Sequence, residues 1–119
     1  TGTLFVFSVP TFGFTTMLEG SFDCFAARNL DNVVHTQLYT DRSINFALSN
    51  SGYRKVAEWL FGQDSQDLSR LILQRLAPKM SKDLSDITVK QITSLIDPLQ
   101  QAIDRARLCD ARHILAVKS

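Results

Sequence analysis

The chain has 119 residues, of which 45% are hydrophobic and 21% charged, and its formal net charge is +1. A chain of this length can form one domain with its own core, and its hydrophobic fraction excludes an intrinsically disordered protein. The nearly neutral charge argues against a protein that works mainly by neutralising nucleic-acid phosphates or an anionic membrane surface.

The first apolar stretch is LFVFSVPTFGF, residues 4–14. A secretory leader begins with basic residues, and a membrane helix needs about 20 uninterrupted apolar residues. Residues 1–18 contain no Lys or Arg, and Pro10 and Gly13 interrupt the apolar run. We therefore expect neither a leader nor a membrane span here, and we interpret the stretch as a β-strand followed by a turn.

Residues 3–49 have the pattern of several short strands. The segments TLFVFSV, FTTMLEG, SFDCFAAR, VVHTQLYT and INFALS are separated by turn-forming residues. The last of them places Ile44, Phe46 and Leu48 on one face if it is extended, because side chains of a strand alternate between two faces. This part of the chain is therefore predicted to form an antiparallel meander of four or five strands.

The second half of the chain, residues 51–116, has helical spacing instead. Two amphipathic patterns consist of Tyr53, Val56, Trp59 and Leu60, and of Leu68, Leu71, Ile72 and Leu76. Gly62 stands where a helix C-terminus commonly has a glycine, and Asp64 or Ser65 can cap the next helix. These patterns predict the first two of three or four helices.

An apolar stripe continues through the last segment and is interrupted by Pro98. It consists of Ile92, Leu95, Ile96, Leu99, Ile103 and Ala106. Because proline is tolerated in a first helical turn but not in a helix interior, we predict a helix over about 87–96, a break near Pro98, and a second helix from 98 to about 115. One straight helix over residues 87–115 would span about 43 Å, whereas a compact domain of this size is only about 30 Å across. The segment must therefore fold back at Pro98 or project from the domain.

Together these patterns predict a single α+β domain over residues 1–119. A β meander over 3–49 supplies an antiparallel sheet of four or five strands, and three or four helices within 51–116 pack on one face of it.

No arrangement of residues indicates catalysis. Cys24 could act as a nucleophile with His35 as its base and Asp23 or Asp41 as the orienting acid, but their spacing gives no sign that they meet. The two histidines, His35 and His113, have no neighbouring ligands at metal-binding spacing. The five glycines are scattered rather than gathered in a phosphate-binding loop. We therefore assign no catalytic residue, no metal site and no cofactor.

The two cysteines, Cys24 and Cys109, stand 85 positions apart outside any motif. They could form one bridge, but two buried free thiols are the favoured interpretation. Free thiols favour an intracellular, cytoplasmic protein.

Aromatic residues are concentrated in the strand-like half, where eight of the eleven aromatic residues fall within the first 50 positions. An antiparallel sheet that is apolar on both faces needs two covers, and the predicted helices can supply only part of them. We therefore predict a non-enzymatic protein–protein interaction module, working as a homodimer or as a small subunit of a larger complex. Its expected partner surface consists of Phe5, Phe7, Phe12, Phe14, Leu99, Ile103 and Leu115.

Two alternatives remain open. A small-molecule-binding protein or enzyme would enclose an apolar pocket between sheet and helices, with Phe22, Asp23, His35 and Tyr39 in it. A nucleic-acid-binding accessory protein would use basic residues of the last segment, Arg105, Arg112 and Lys118, although Asp104 and Asp110 stand among them.

Overall fold

The computed structural model describes residues 2–22, 28–30, 33 and 35–119. Its elements in chain order are β1 (Leu4–Pro10), α1 (Phe14–Ser21), α2 (Asp41–Asn50), β2 (Tyr53–Phe61), α3 (Asp64–Leu76), a 3₁₀ turn (Ala77–Lys79), α4 (Lys82–Arg105) and β3 (Ala111–Lys118). The predicted class, α+β with an antiparallel sheet, is confirmed.

The sheet has three strands in the described part of the chain, in the order β1-β3-β2, where four or five were predicted. The last strand, β3, lies in the centre and pairs antiparallel with both neighbours. In the middle of the sheet Val6, Leu115 and Ala57 lie side by side. The last strand of the chain is thus the central strand of the sheet. The predicted meander over 3–49 does not contain this strand.

Helix α2 covers one face of this sheet. Its Ile44 and Leu48 form the buried core with Ile114 and Ala116 of β3. Thr40 caps the helix by accepting a hydrogen bond from the backbone N–H of Ser43 at 3.2 Å. This face carries the main hydrophobic contact between a helix and the sheet.

Two segments predicted as strands are helices, α1 and α2. In α2 the residues Ile44 and Leu48 are four apart, a spacing that fits both a strand and a helix. Phe46 between them distinguishes the two, because it is exposed in the structure, whereas a strand would place it on their face. The predicted strand SFDCFAAR falls mostly on residues 23–27, which lie outside the described residues.

The segment predicted as the first helix of the second half is β2. Gly52 turns the chain into it with φ +69°, a left-handed conformation that suits glycine. The pairing of β2 with β3 shifts register between Lys55 and Ala57, which indicates a bulge at Val56. Because the bulge interrupts the alternation of the strand, its apolar residues do not follow a two-residue period in the sequence. Val56, Trp59 and Leu60 match a helical spacing by chance.

Helix α4 runs without interruption from Lys82 to Arg105 and contains Pro98 in its interior. The predicted break near Pro98 and the predicted helix from 98 to 115 are therefore wrong. The chain leaves the helix through Arg107, whose φ is +61°, and then enters β3. The alternating burial along Ala111–Lys118 is that of a central strand.

Helices α3 and α4 form an antiparallel hairpin, here called the arm (residues 64–105). The molecule measures 63 × 27 × 20 Å, because the arm extends away from the sheet. The 24 residues of α4 alone account for about 36 Å of length. Of the two outcomes expected for the long apolar stripe, folding back or projecting, the structure shows the second.

Candidate functional site

The arm leaves many apolar side chains in water. Within α4 the buried residue is Ile103, at the inner end of the helix. The exposed large apolar residues of the arm are Ile72, Leu76, Leu84, Ile87, Val89, Leu95 and Leu99. Leu95 is 59% exposed and Ile87 56%, values typical of surface lysines rather than of core residues.

The exposed leucines of α4 share one side of the helix. Leu84, Leu95 and Leu99 are separated by 11 and 4 residues, which returns each to nearly the same angle around an α-helix. Ile92 and Ile96, on a neighbouring stripe, are half-buried. A two-helix hairpin buries one seam between its helices, so a second apolar stripe stays uncovered.

The charges of the arm are separated along its length. The outer half, residues 72–93, carries four basic and two acidic side chains. The inner half, residues 64–71 and 94–105, carries four acidic and two basic side chains. The tip is therefore net positive, whereas two of the four acidic side chains at the base, Asp64 and Asp67, are buried and bound by Thr15 and Arg28.

At the base of the arm, the buried Asp64 carboxylate binds three other parts of the chain. It accepts hydrogen bonds from the Thr15 hydroxyl at 2.6 Å and from the Gln100 amide at 3.3 Å. The backbone N–H of Asp110 donates to it at 3.2 Å. One carboxylate thus connects α1, both arm helices and the start of β3.

A second buried carboxylate, Asp110, lies beside the first. Burial and the negative charge of Asp64 raise the pKa of Asp110 above its usual value, against the opposing effect of hydrogen bonds from Arg28 and Asn29. The Arg28 guanidinium bridges Asp110 and Asp67, with its Nε 2.7 Å from the Asp67 carboxylate. Arg28 thereby links residues 28–30 to the base of the arm.

These carboxylates have donors of their own. No group of three or more His, Cys, Asp or Glu side chains suited to a metal ion occurs in the part of the chain that the structure describes. We interpret the Asp64–Asp110–Asp67 cluster as the structural anchor of the arm.

A second charge network lies between α2 and the sheet. The Arg107 guanidinium binds Asp41 at 3.0 Å and Glu58 at 2.6 Å, and Arg112 also binds Asp41. Burial alone would raise the pKa of Asp41, but hydrogen bonds from Arg112 and Arg107 outweigh it, so its pKa lies below the usual value. The buried Nε of Arg112 has no hydrogen-bond partner among the described residues.

The face of the sheet opposite α2 is a second exposed apolar surface. By strand alternation it carries Leu4 and Val6 of β1, Leu115 of β3 and Trp59 of β2. Leu4 and Val6 are two-thirds exposed, and Trp59 is 56% exposed. The sheet is thus apolar on both faces, as expected from its sequence, and the residues that the structure describes leave this second face exposed.

On the α2 side an apolar cavity of about 330 Å³ opens between β1 and the helix. Its walls include Phe5, Phe7, Tyr39, Ile44, Leu48 and Tyr53. The rings of Phe5 and Phe7 stack at 4.8 Å between centroids. The aromatic residues of the first strand therefore line a cavity rather than fill a closed core.

The predicted interface residues are distributed over several parts of the structure. Phe5 and Phe7 line the apolar cavity, Phe12 is exposed, and Leu99 is exposed on the arm. The others occupy different places: Phe14 begins α1, Ile103 is buried at the base of the arm, and Leu115 lies in β3. The structure does not bring the seven residues together on one surface.

The residues of the predicted pocket are also separated. Tyr39 lines the apolar cavity, whereas His35 lies near Arg28, with its Nδ1 3.2 Å from the Arg28 carbonyl oxygen. Phe22 is exposed, and Asp23 lies outside the described residues. Of the proposed nucleic-acid residues, Arg112 is buried in the charge network, away from any exposed basic face.

The sequence does not reveal the acidic anchor, because its pattern predicts Asp64 as a helix cap and shows Asp110 only as an acidic residue among the basic residues of the last segment. No local pattern indicates that residues 15, 64 and 110 meet. The exposed stripe of the arm was partly visible, since Leu95 and Leu99 belong to the predicted apolar pattern.

No helix in the described ranges combines the length and apolar character that crossing a membrane requires. Comparison of the chain with protein-family models, with characterised proteins and with solved structures gives no significant match.

Proposed function

We propose that this chain is a non-enzymatic protein–protein interaction module that works as a homodimer, with the arm as its interface. The observation that carries the proposal is the uncovered apolar stripe of the arm, with Leu84, Leu95 and Leu99 exposed along one side of α4. Contiguous apolar surface of this kind marks interaction sites in soluble proteins.

A second copy of the arm is a suitable partner, because the area of one arm face is close to the area that a stable interface buries. A face about 36 Å long and two helices wide, about 20 Å, has an area of about 700 Å². Stable protein interfaces bury about 800 Å² on each partner. Two arms packed face to face would form a four-helix bundle, in which the apolar stripe of each hairpin becomes core.

Light scattering on a sizing column, from 1 to 100 μM protein, tests this proposal. We expect a particle of twice the 13.4 kDa chain mass. The double variant Leu84→Lys/Leu95→Lys should be monomeric, because a buried unpaired charge costs about 2–5 kcal/mol, or about 30-fold or more in Kd.

The matched control places the same two charges on the other side of α4. Thr93 and Gln101 are exposed and lie away from the leucine stripe, so Thr93→Lys/Gln101→Lys should remain a dimer. A wild-type monomer at 100 μM, or equal dissociation of both double variants, would show that the arm is not a dimer interface.

A further inference from the structure

The apolar cavity beneath α2 adjoins a second hollow of different chemistry. Leu48 and Tyr53 line both spaces, so the two lie next to each other. The second hollow is also bordered by Arg54 and Lys55, and its charged side chains are basic. Apolar and cationic environments thus meet at Tyr53.

Lys118 adds a third positive charge at this junction. Its ammonium group lies 4.7 Å from the centre of the Tyr53 ring and donates a hydrogen bond to the Ser51 carbonyl oxygen at 2.7 Å. Of the three basic residues, Lys55 is neutralised by Glu58 at 2.9 Å. Lys118 has no carboxylate partner among the ion pairs of the described residues and can receive an anion, whereas Arg54 pairs with Val117 and therefore faces the other side of the sheet.

We propose that the cavity binds a small apolar carboxylate, such as a medium-chain fatty acid. The apolar tail would lie against Phe5, Phe7 and Ile44, and the carboxylate would lie at the mouth, beside Lys118, whose ammonium group donates to the carbonyl oxygen of the cavity residue Ser51. This inference is independent of dimerisation, because the arm contributes no residue to either space.

The volume of the cavity sets the size of the ligand. A dry apolar cavity of about 150 Å³ accepts benzene, with six heavy atoms. By that measure 330 Å³ holds roughly a dozen heavy atoms. Ligand sites of about this size are lined mainly by apolar and aromatic groups with a few polar groups at the mouth, as here.

Titration calorimetry with octanoate, octanol and octylamine tests the proposal on the full chain. Octanoate should bind saturably at one site per chain, about tenfold more tightly than octanol, and octylamine should bind worst. The variant Lys118→Gln should weaken octanoate about fivefold to tenfold and leave octanol unchanged, whereas Arg54→Gln, on the other face of the sheet, should leave both unchanged. Absence of saturable octanoate binding, or equal affinity for octanoate and octanol, would overturn the proposal.

Two further variants locate the ligand. Ala47 and Ser51 line the cavity, so Ala47→Phe should abolish binding by filling it. Ser51→Phe obstructs the cavity from an exposed position after α2 and provides the same test if Ala47→Phe fails to fold. The control is Phe46→Ala, because Phe46 is on the same helix but points to solvent. Binding that survives both blocking variants would place the ligand elsewhere and overturn the proposal.

Discussion

The Thr15 hydroxyl donates a hydrogen bond of 2.6 Å to the Asp64 carboxylate, and this contact connects α1 to the first turn of α3. Both residues are fully buried. Because Asp64 also accepts hydrogen bonds from Gln100 and Asp110, it holds the arm to the rest of the molecule.

We expect Asp64→Asn to lower the free energy of unfolding by about 2–4 kcal/mol, because it replaces an acceptor oxygen by an amide that faces other donors. Urea unfolding followed by circular dichroism measures the change. The control is Asp86→Asn, an exposed residue of α4, which should alter stability by less than about 0.5 kcal/mol. Similar losses in both variants would contradict the anchoring role of Asp64.

Asp110 predicts a specific dependence of stability on pH. Its pKa in the folded protein is raised, so the folded state holds the proton more tightly than the unfolded state does. The contribution of this group to stability is therefore largest at acid pH and declines as the pH rises through the raised pKa. Asp110→Asn removes that decline, so its stability relative to wild type should improve as the pH rises from the ordinary aspartate pKa of about 4 and level off above the raised pKa. A constant difference across this range would show that Asp110 does not titrate as described.

Asp41 predicts the opposite dependence. Its pKa is lowered by Arg112 and Arg107 despite the effect of burial, so its stabilisation is present above the unfolded pKa and is lost as the pH falls through the folded one. Asp41→Asn should cost about 0.5–1 kcal/mol at pH 7, a modest value because the side chain is half-exposed. The cost should shrink as the pH falls below about 4 and through the lowered pKa, because the wild-type carboxyl then becomes protonated too. A cost that does not change with pH would show that it arises from lost geometry rather than from lost charge.

The sequence predicted the class of the fold because local patterns determine it. Apolar residues at helical spacing identified α3 correctly, and the β-branched and aromatic run of residues 4–9 identified β1. The length of the last stripe, compared with the size of a compact domain, led to the expectation of a projecting helix as one of two outcomes. These properties depend on neighbouring residues and on simple geometry.

The sequence could not reveal features that depend on distant contacts. The strand β3 pairs with β1 near the start of the chain and with β2 in its middle, and HILAV alone suits a helix as well as a strand. The bulge at Val56 disguised β2 as a helix. The contacts of Asp64 with Thr15 and Asp110 span 49 and 46 positions, and no local rule anticipates them. The apolar cavity likewise requires β1, α2 and β2 to be placed together.

Pro98 provides the last test, because the sequence predicted a break where the structure has a continuous helix. A proline in a helix interior removes one backbone hydrogen bond and crowds the preceding turn, at a cost of about 3 kcal/mol. Helix α4 tolerates it, so packing against α3 must offset this cost. We therefore expect Pro98→Ala to raise the free energy of unfolding by about 1–3 kcal/mol. Ser94→Ala, at another exposed position of the same helix, should change it by a few tenths of a kcal/mol. Urea unfolding of the two variants measures the difference, and a Pro98→Ala protein no more stable than Ser94→Ala would mean that the proline fits α4 without strain.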